Sequence, residues 1–287
     1  MASMLDQSRP DATSSWTCPS CGSRSTTRYC GNCGERRIAG DDEASIERRR
    51  AFPARFTASL RTLVSPPGQL TVDWIRGRRV GYIAPLSVFL WMNVAFFLVQ
   101  SLSGLGILTW PLRIHLSDDS IGWLTTRLLA QHRPAMAVPT DAYANVFNVL
   151  EAVHAKSLVI VMIPALAAAL GVLLLDQRER LRDSFTFATH FFAFALVWLS
   201  ALFPLVAIAL RLIVATGLPM PEHRQMDLAV SLLEGGVLAW YLYIALDTVF
   251  GLSRLRRAVT VLALVAALYY ILKAYHVVVF AATLYSI

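Results

Sequence analysis

FTFATHFFAFALVWLSALFPLVAIALRLI, residues 185–213, holds 29 residues and two ionisable side chains, His190 and Arg211. At 1.5 Å per residue a helix of that length rises about 44 Å, more than the roughly 30 Å of a bilayer's hydrocarbon core. Such a helix tilts, or bends at Pro204. Four further segments are apolar enough to cross: Ile83 to Leu102, Leu158 to Leu175, Ala229 to Phe250 and Ala258 to Phe280. The whole chain agrees: 287 residues, 56% hydrophobic and 16% charged, where water-soluble domains carry about 25% charge. The sequence predicts an all-α polytopic membrane protein with about five transmembrane helices in residues 82–287. That excludes an ordinary soluble globular enzyme.

Arginine orients the spans. The chain has 24 Arg against two Lys, and 13 of the Arg lie in residues 1–81. Arg178, Arg180 and Arg182 follow the second span, and Arg254, Arg256 and Arg257 follow the fourth. The alternate loops are sparser: Arg113, Arg127 and Arg133 in the long loop 103–157, and Arg224 after the third span. Basic loops stay on the side of synthesis, which places the N-terminus in the cytoplasm and the C-terminus outside. Residues 1–15 lack the apolar core of a secretory signal and read as a disordered tail.

All four cysteines fall in CPSCGSRSTTRYCGNCG, residues 18–34. Cys18 and Cys21, then Cys30 and Cys33, make two C-x2-C pairs, the pattern by which four thiolates hold one tetrahedral ion. Residues 16–37 are therefore predicted to be a small zinc ribbon holding one structural Zn2+. Gly22 and Gly34 follow each pair and let the backbone fold back toward the sulfurs. An iron centre of rubredoxin type uses the same ligands. A disulfide framework conflicts with a reducing compartment. With four protein ligands there is no open position for water, so the site is structural, and metal binding supplies folding energy to a segment with little core. The ribbon reads as a docking module for an unknown protein partner, or as a folded plug without one. Nucleic acid is a poor fit, since only Trp16 and Tyr29 are there to stack bases.

Residues 38–81 read as a charged linker followed by interfacial helices. Phe56, Leu60, Leu63 and Val64 share one helical face, with Arg55 and Arg61 off it. SPPG, residues 65–68, breaks that helix. The run from Trp74 to Pro85, WIRGRRVGYIAP, then enters the first span. Trp74 and Tyr82 suit the headgroup layer, and Arg76, Arg78 and Arg79 its cytoplasmic side. Pro67, Gly68, Gly77, Arg78, Arg79, Tyr82 and Pro85, downstream of a double C-x2-C, resemble the bacterial membrane family called domain of unknown function 3667. The resemblance covers residues 18 to about 98, with Trp74 and Arg78 standing where tyrosine and lysine are usual. It implies a zinc ribbon joined to several hydrophobic helices in a bacterial inner membrane, and no activity.

In the loop 103–157, Ile121, Leu124 and Leu128 form one stripe after an Asp118 to Ser120 cap. Tyr143, Val146, Phe147, Leu150 and Val153 form a second after Thr140 and Asp141, continuing toward span two. Ionisable residues inside spans cost at least about 2.5 kcal/mol each, so each needs a reason. His190 and Asp247 lie near the inner face, within reach of an ion pair or hydrogen bond, and Arg211 and Glu234 can pair similarly toward the outer. Tyr269, Lys273 and His276 share a face of span five. His190, Val197, Pro204 and Arg211 repeat every seven residues and point one way, into the bundle. His190, Arg211, Glu234, Asp247, Lys273 and His276 thus define a candidate polar network, against the plainer reading of helix-to-helix contacts. Asn93 is a weaker instance, and Gly235–Gly236 beside Glu234 permits close helix approach or local unwinding. His115, His132, His154 and His223 read as isolated. No hydrolase elbow, phosphate loop or H-E-x-x-H occurs, so no catalytic residues are predicted. The expected function is a docking protein anchored in the inner membrane. The alternative is a transporter or channel-like protein using the span residues; an intramembrane enzyme on a lipid-linked substrate, with His190 and Asp247 as acid and base, ranks third.

Overall fold

The computed structural model describes residues 15–18, 22–32, 34–35, 51–103, 108–132, 140–175, 181–217 and 222–287. Cys21, Cys33, the charged linker through Arg50, Arg133, Arg178 and Arg180 lie outside the described residues. The chain divides into two compact units, one up to Ala84 and one from Pro85.

In the first unit, β1 (Trp16–Thr17) pairs antiparallel with β2 (Arg24–Ser25). Helix α1 (Phe52–Val64) carries Pro53 in its first turn, where a missing N–H costs nothing. It ends at Ser65, as SPPG demands. Leu63 is wholly buried, while Val64 is exposed, so the apolar face is narrower than the sequence suggests. Gly68, with φ of +84°, starts α2 (Gln69–Ile75).

In the second unit the helices are α3 (Pro85–Ser103), α4 (Leu112–Ser117), α5 (Gly122–His132), α6 (Asp141–Leu158), α7 (Met162–Leu173), α8 (Leu181–Thr216), α9 (His223–Phe250) and α10 (Arg254–Leu284). Among the described residues, five stretches are long and apolar enough to cross a membrane: Pro85–Leu102, Asp141–Leu173, Leu181–Thr216, Leu228–Phe250 and Arg254–Leu284. These match the five predicted spans; the third, fourth and fifth are extended, the first starts two residues later, and the second starts at Asp141 and ends two residues sooner. α6 continues into α7 through a single 3-10 turn, Val159–Val161, so the second stripe and span two form one rod. The centre is α8, which packs on α3 and α7, and α10 crosses α6 and α7. The first half of α8 is buried on every side from Thr186 to Leu196, and beyond Leu202 its residues are partly or fully exposed. The seven-residue repeat therefore does not stay inside: His190 is buried, Val197 and Pro204 are intermediate and Arg211 is exposed. The face is lost because α8, 36 residues long, outruns the helices packed against it. α8 passes through Pro204 without ending.

α4, α5 and the first part of α6 gather around the C-terminal end of α10. Their shared core is Leu112, Leu129, Tyr143, Phe147, Phe280 and Leu284. Thr140 caps α6, its hydroxyl accepting from the Tyr143 amide at 3.3 Å. The buried face of α6 is Tyr143, Phe147, Glu151 and Ala155. The predicted stripe is corrected by a rotation: Val146 and Val153 are exposed, and a carboxylate turns inward in their place. α5 is rotated similarly, burying Thr125 and Leu129 with Ile121 and leaving Leu124 and Leu128 half-buried. The Thr125 hydroxyl repays its burial by donating to the His115 carbonyl at 2.6 Å.

Candidate functional site

Three places concentrate chemistry. The first is the cysteine segment. Cys18 and Cys30 are both buried, at 1% and 3% exposure. Each opens the same backbone figure. The Cys18 amide donates to the Ser23 carbonyl at 2.8 Å, and the Cys18 carbonyl accepts from the Gly22 amide at 2.9 Å. The Cys30 amide donates to the Glu35 carbonyl at 2.7 Å, and the Cys30 carbonyl accepts from the Gly34 amide at 2.8 Å. Gly22 and Gly34 have φ of +73° and +77°, the left-handed region that glycine enters without a steric cost. A two-fold repeat of one tight turn, 12 residues apart, is therefore built into the backbone. Gly34 has a second duty. A Cβ there would lie 2.1 Å from the Gly77 carbonyl oxygen, so the second turn seats directly on the Gly77 backbone.

The second place is that Gly77 turn. The predicted interface motif Gly77, Arg78, Arg79, Tyr82 and Pro85 proves to be organised by a residue the sequence reading passed over, Asp73. Its carboxylate accepts from Gln69 Nε2 at 2.6 Å, from the Tyr82 hydroxyl at 2.8 Å and from the Arg78 guanidinium. The Asp73 carbonyl also takes the Arg78 amide at 2.8 Å. Gly77, with φ of +84°, makes the reversal that brings Arg78 back. Arg79 lies over the Trp74 ring at 5.2 Å. Arg55 of α1 donates to the Tyr82 carbonyl at 2.9 Å, and Ser59 accepts the Ile83 amide at 3.0 Å. Burial, reinforced by the hydrogen bond to Asp73, pushes the Tyr82 hydroxyl above its ordinary pKa, so it is a donor at neutral pH. Pro85 is the first residue of α3. Asp73 is an acid inside a basic run, the one signal that marks it in the sequence.

The third place contains the span residues. Of the six predicted members, Lys273 and His276 meet on Trp110, and the other four fall into separate surroundings. Asp247 pairs with Arg257 at 2.5 Å across the turn at Gly251, and Arg257 also lies over Tyr243 at 4.2 Å. Lys273 pairs with Asp118 at 2.6 Å and stands over Trp110 at 4.8 Å. The Tyr269 and Ser120 hydroxyls meet at 3.2 Å. His276 stacks on Trp110 with ring centroids 3.9 Å apart. Arg211 is exposed, and no ion pair joins it to Glu234. Glu234 instead lines a cavity of about 190 Å³ between α7, α8, α9 and α10, with Met162, Phe192, Leu199, Leu238 and Leu272. His190 is 1% exposed within α8. Gly235 and Gly236 sit in unbroken helix with no heavy atom within 4 Å of a Cβ placed there, so no close approach uses them. Asn93 donates to the Lys156 carbonyl at 3.0 Å, joining α3 to α6.

The stripe of span five is real, but its partners come from the loop before span two, as Asp118, Ser120 and Trp110. Of the histidines read as isolated, His115, His132 and His154 are corrected here; the His223 side chain lies outside the described residues. His115 is fully buried, with its ring 5.9 Å from that of His276 and its Nε2 3.8 Å from Glu151 Oε1. His154 Nδ1 lies 3.1 Å from the Thr283 hydroxyl, and the His132 ring packs on Tyr285. Residue spacing gives no signal for these pairings, since the elements that meet are remote in sequence.

These features define a helical protein with five membrane-length helices and a separate N-terminal unit containing the paired turns. Residues 54–97 match the model of the family described as "Protein of unknown function (DUF3667)", the family the sequence resembles. The matched segment runs from α1 through the Asp73 turn into α3. No curated protein and no solved structure matches the chain.

Proposed function

We propose that the chain is an inner-membrane docking protein whose N-terminal segment holds one structural Zn2+ through Cys18, Cys21, Cys30 and Cys33 and presents a cytoplasmic surface to a protein partner. The repeated turn carries this reading. Two backbone figures with the same hydrogen bonds and the same left-handed glycine put Cys18 and Cys30 in equivalent, buried positions. That is what a two-fold tetrahedral thiolate site needs from its first ligands. The ion supplies the folding energy a segment of this size lacks. It catalyses nothing, since four thiolates leave it no open position. The dispersal of His190, Arg211, Glu234 and Asp247 favours an anchoring role for the helices over a proton or ion relay. The test is metal analysis of the purified full chain together with co-purification from intact membranes. Cys18→Ser with Cys21→Ser is expected to remove one zinc equivalent and the co-purifying partner, while Lys273→Ala keeps both. Partner capture that survives loss of the thiols overturns the docking role.

The transport alternative keeps one specific support, the cavity beside Glu234. A single carboxyl in an apolar lining suits an amphiphile with one hydrogen-bond donor or positive group. Flux in proteoliposomes that falls on Glu234→Gln would favour this reading.

A further inference from the structure

We infer that His115, Glu151 and His276 form a second metal site, for a divalent ion of the zinc class, where α4, α6 and α10 meet. One donor atom from each of the three residues lies within 4.8 Å of the other two, and all three residues are buried. Histidine nitrogen and carboxylate oxygen bind such ions at about 2.0–2.2 Å, which sets donors roughly 3.4 Å apart around a tetrahedral ion. Reaching that spacing from separations of at most 4.8 Å needs contractions of up to about 1.4 Å, within reach of side-chain rotations.

The polar accounting points the same way. Both His115 ring nitrogens and His276 Nδ1 are buried without a hydrogen-bond partner. Buried side-chain nitrogens are normally satisfied, and each exception calls for a cause. An ion supplies one, because neutral imidazole offers it a lone pair. The 3.8 Å from His115 Nε2 to Glu151 Oε1 is too long for a hydrogen bond but suits two ligands of one centre.

The surroundings hold the donors in place. The Trp110 amide donates to Glu151 Oε1 at 2.9 Å, the kind of outer contact that orients a ligating carboxylate. The Trp110 ring stacks on His276 and fixes its plane. Phe147 and Phe280 close on His115 at 6.0 and 5.3 Å between ring centroids. The charge balance also permits a cation. The nearby Lys273 is matched by Asp118, so Glu151 carries the negative charge left over for the ion. Three protein donors, two imidazoles and a carboxylate, leave at least one coordination position for water or another small ligand. This site shares no residue with the thiolate segment and does not depend on it.

Full-length protein purified in detergent, loaded with Zn2+ and desalted, tests the inference by metal content. His276→Gln and Glu151→Gln are each expected to bind about one equivalent fewer than the unaltered chain. That difference holds whether or not the cysteines carry an ion. Loading with Co2+ identifies the ligands lost. The difference spectrum between the unaltered chain and His276→Gln should show ligand-field bands without thiolate charge-transfer absorption. Glu151→Gln keeps the side-chain shape, so it repeats the comparison if His276→Gln does not fold. Equal metal content in the unaltered chain and a folded variant overturns the site. So does a difference spectrum dominated by thiolate bands, which would place the lost ion at the cysteines.

Discussion

Lys273 is the most expensive side chain in the fifth span, and Asp118 answers its cost. The ammonium has a carboxylate at 2.6 Å and two aromatic faces, and both charged side chains are only 16% exposed. Removing one partner of a sheltered pair strands the other, which costs more than removing both. Lys273→Ala should therefore destabilise the protein by about 2 kcal/mol, and Asp118→Asn should recover part of that in the double variant. Thermal unfolding of the four proteins in one detergent measures the coupling. The pair also sets a pH dependence. Burial raises the Asp118 pKa, but the Lys273 ammonium and the Ser120 and Ile121 amides outweigh it, leaving the carboxyl below its ordinary 3.8. A carboxyl lowered on folding stabilises above its unfolded value, and that contribution is lost as pH falls through the folded one. From about pH 5 to about pH 3 the unaltered chain should lose more melting temperature than Asp118→Asn. Equal losses would show that the pair contributes nothing.

At the scale of elements, the two cysteine turns look interchangeable but are not. Gly22 and Gly34 share a left-handed backbone, yet a Cβ at Gly22 meets nothing within 4 Å, whereas one at Gly34 runs into the Gly77 carbonyl. Gly22→Ala should cost only the conformational penalty, about 1 kcal/mol. Gly34→Ala should in addition lift the second turn off the Asp73 turn. Limited proteolysis reads this as faster cleavage of the N-terminal unit in Gly34→Ala than in Gly22→Ala; equal rates would dismiss the seat. The rotation of α6 belongs to this scale too. Its sequence offers two overlapping stripes, one of valines and one of Tyr143, Phe147 and Glu151. Hydrophobicity favours the valines. The structure takes the other because the Trp110 amide and the Asn148 contact to Leu112 reward polar groups on that side. In a lipid surround the valines lose nothing by facing outward.

For the whole molecule, the proposed orientation rests on two expectations: five crossings put the two ends in different compartments, and the positive-inside rule would keep the cysteine segment inside. Arg182 lies at the start of α8 and Arg254 at the start of α10, so five alternating crossings would put both on one side of the membrane. The expected result is a tag before Cys18 that resists external protease in spheroplasts, and a tag after Ile287 that does not. Both tags in one compartment would break the five-span count. The His115, Glu151 and His276 cluster lies at the opposite end of α10 from Arg254, hence on the outer side in this orientation.

Composition and run length alone determined the five long helices. An apolar stretch of this length satisfies its own backbone hydrogen bonds, and nothing remote is needed to form it. The paired cysteine turns were legible for a similar reason, since their geometry is written in four consecutive residues and a glycine. The inward turn of Glu151, the meeting of His115 with His276, and the pairing of Lys273 with Asp118 were decided only by the tertiary structure. Residues 115, 151 and 276 lie 36 and 125 positions apart. Their helices are each locally stable in several rotations, and only packing chooses the one that brings imidazole to carboxylate.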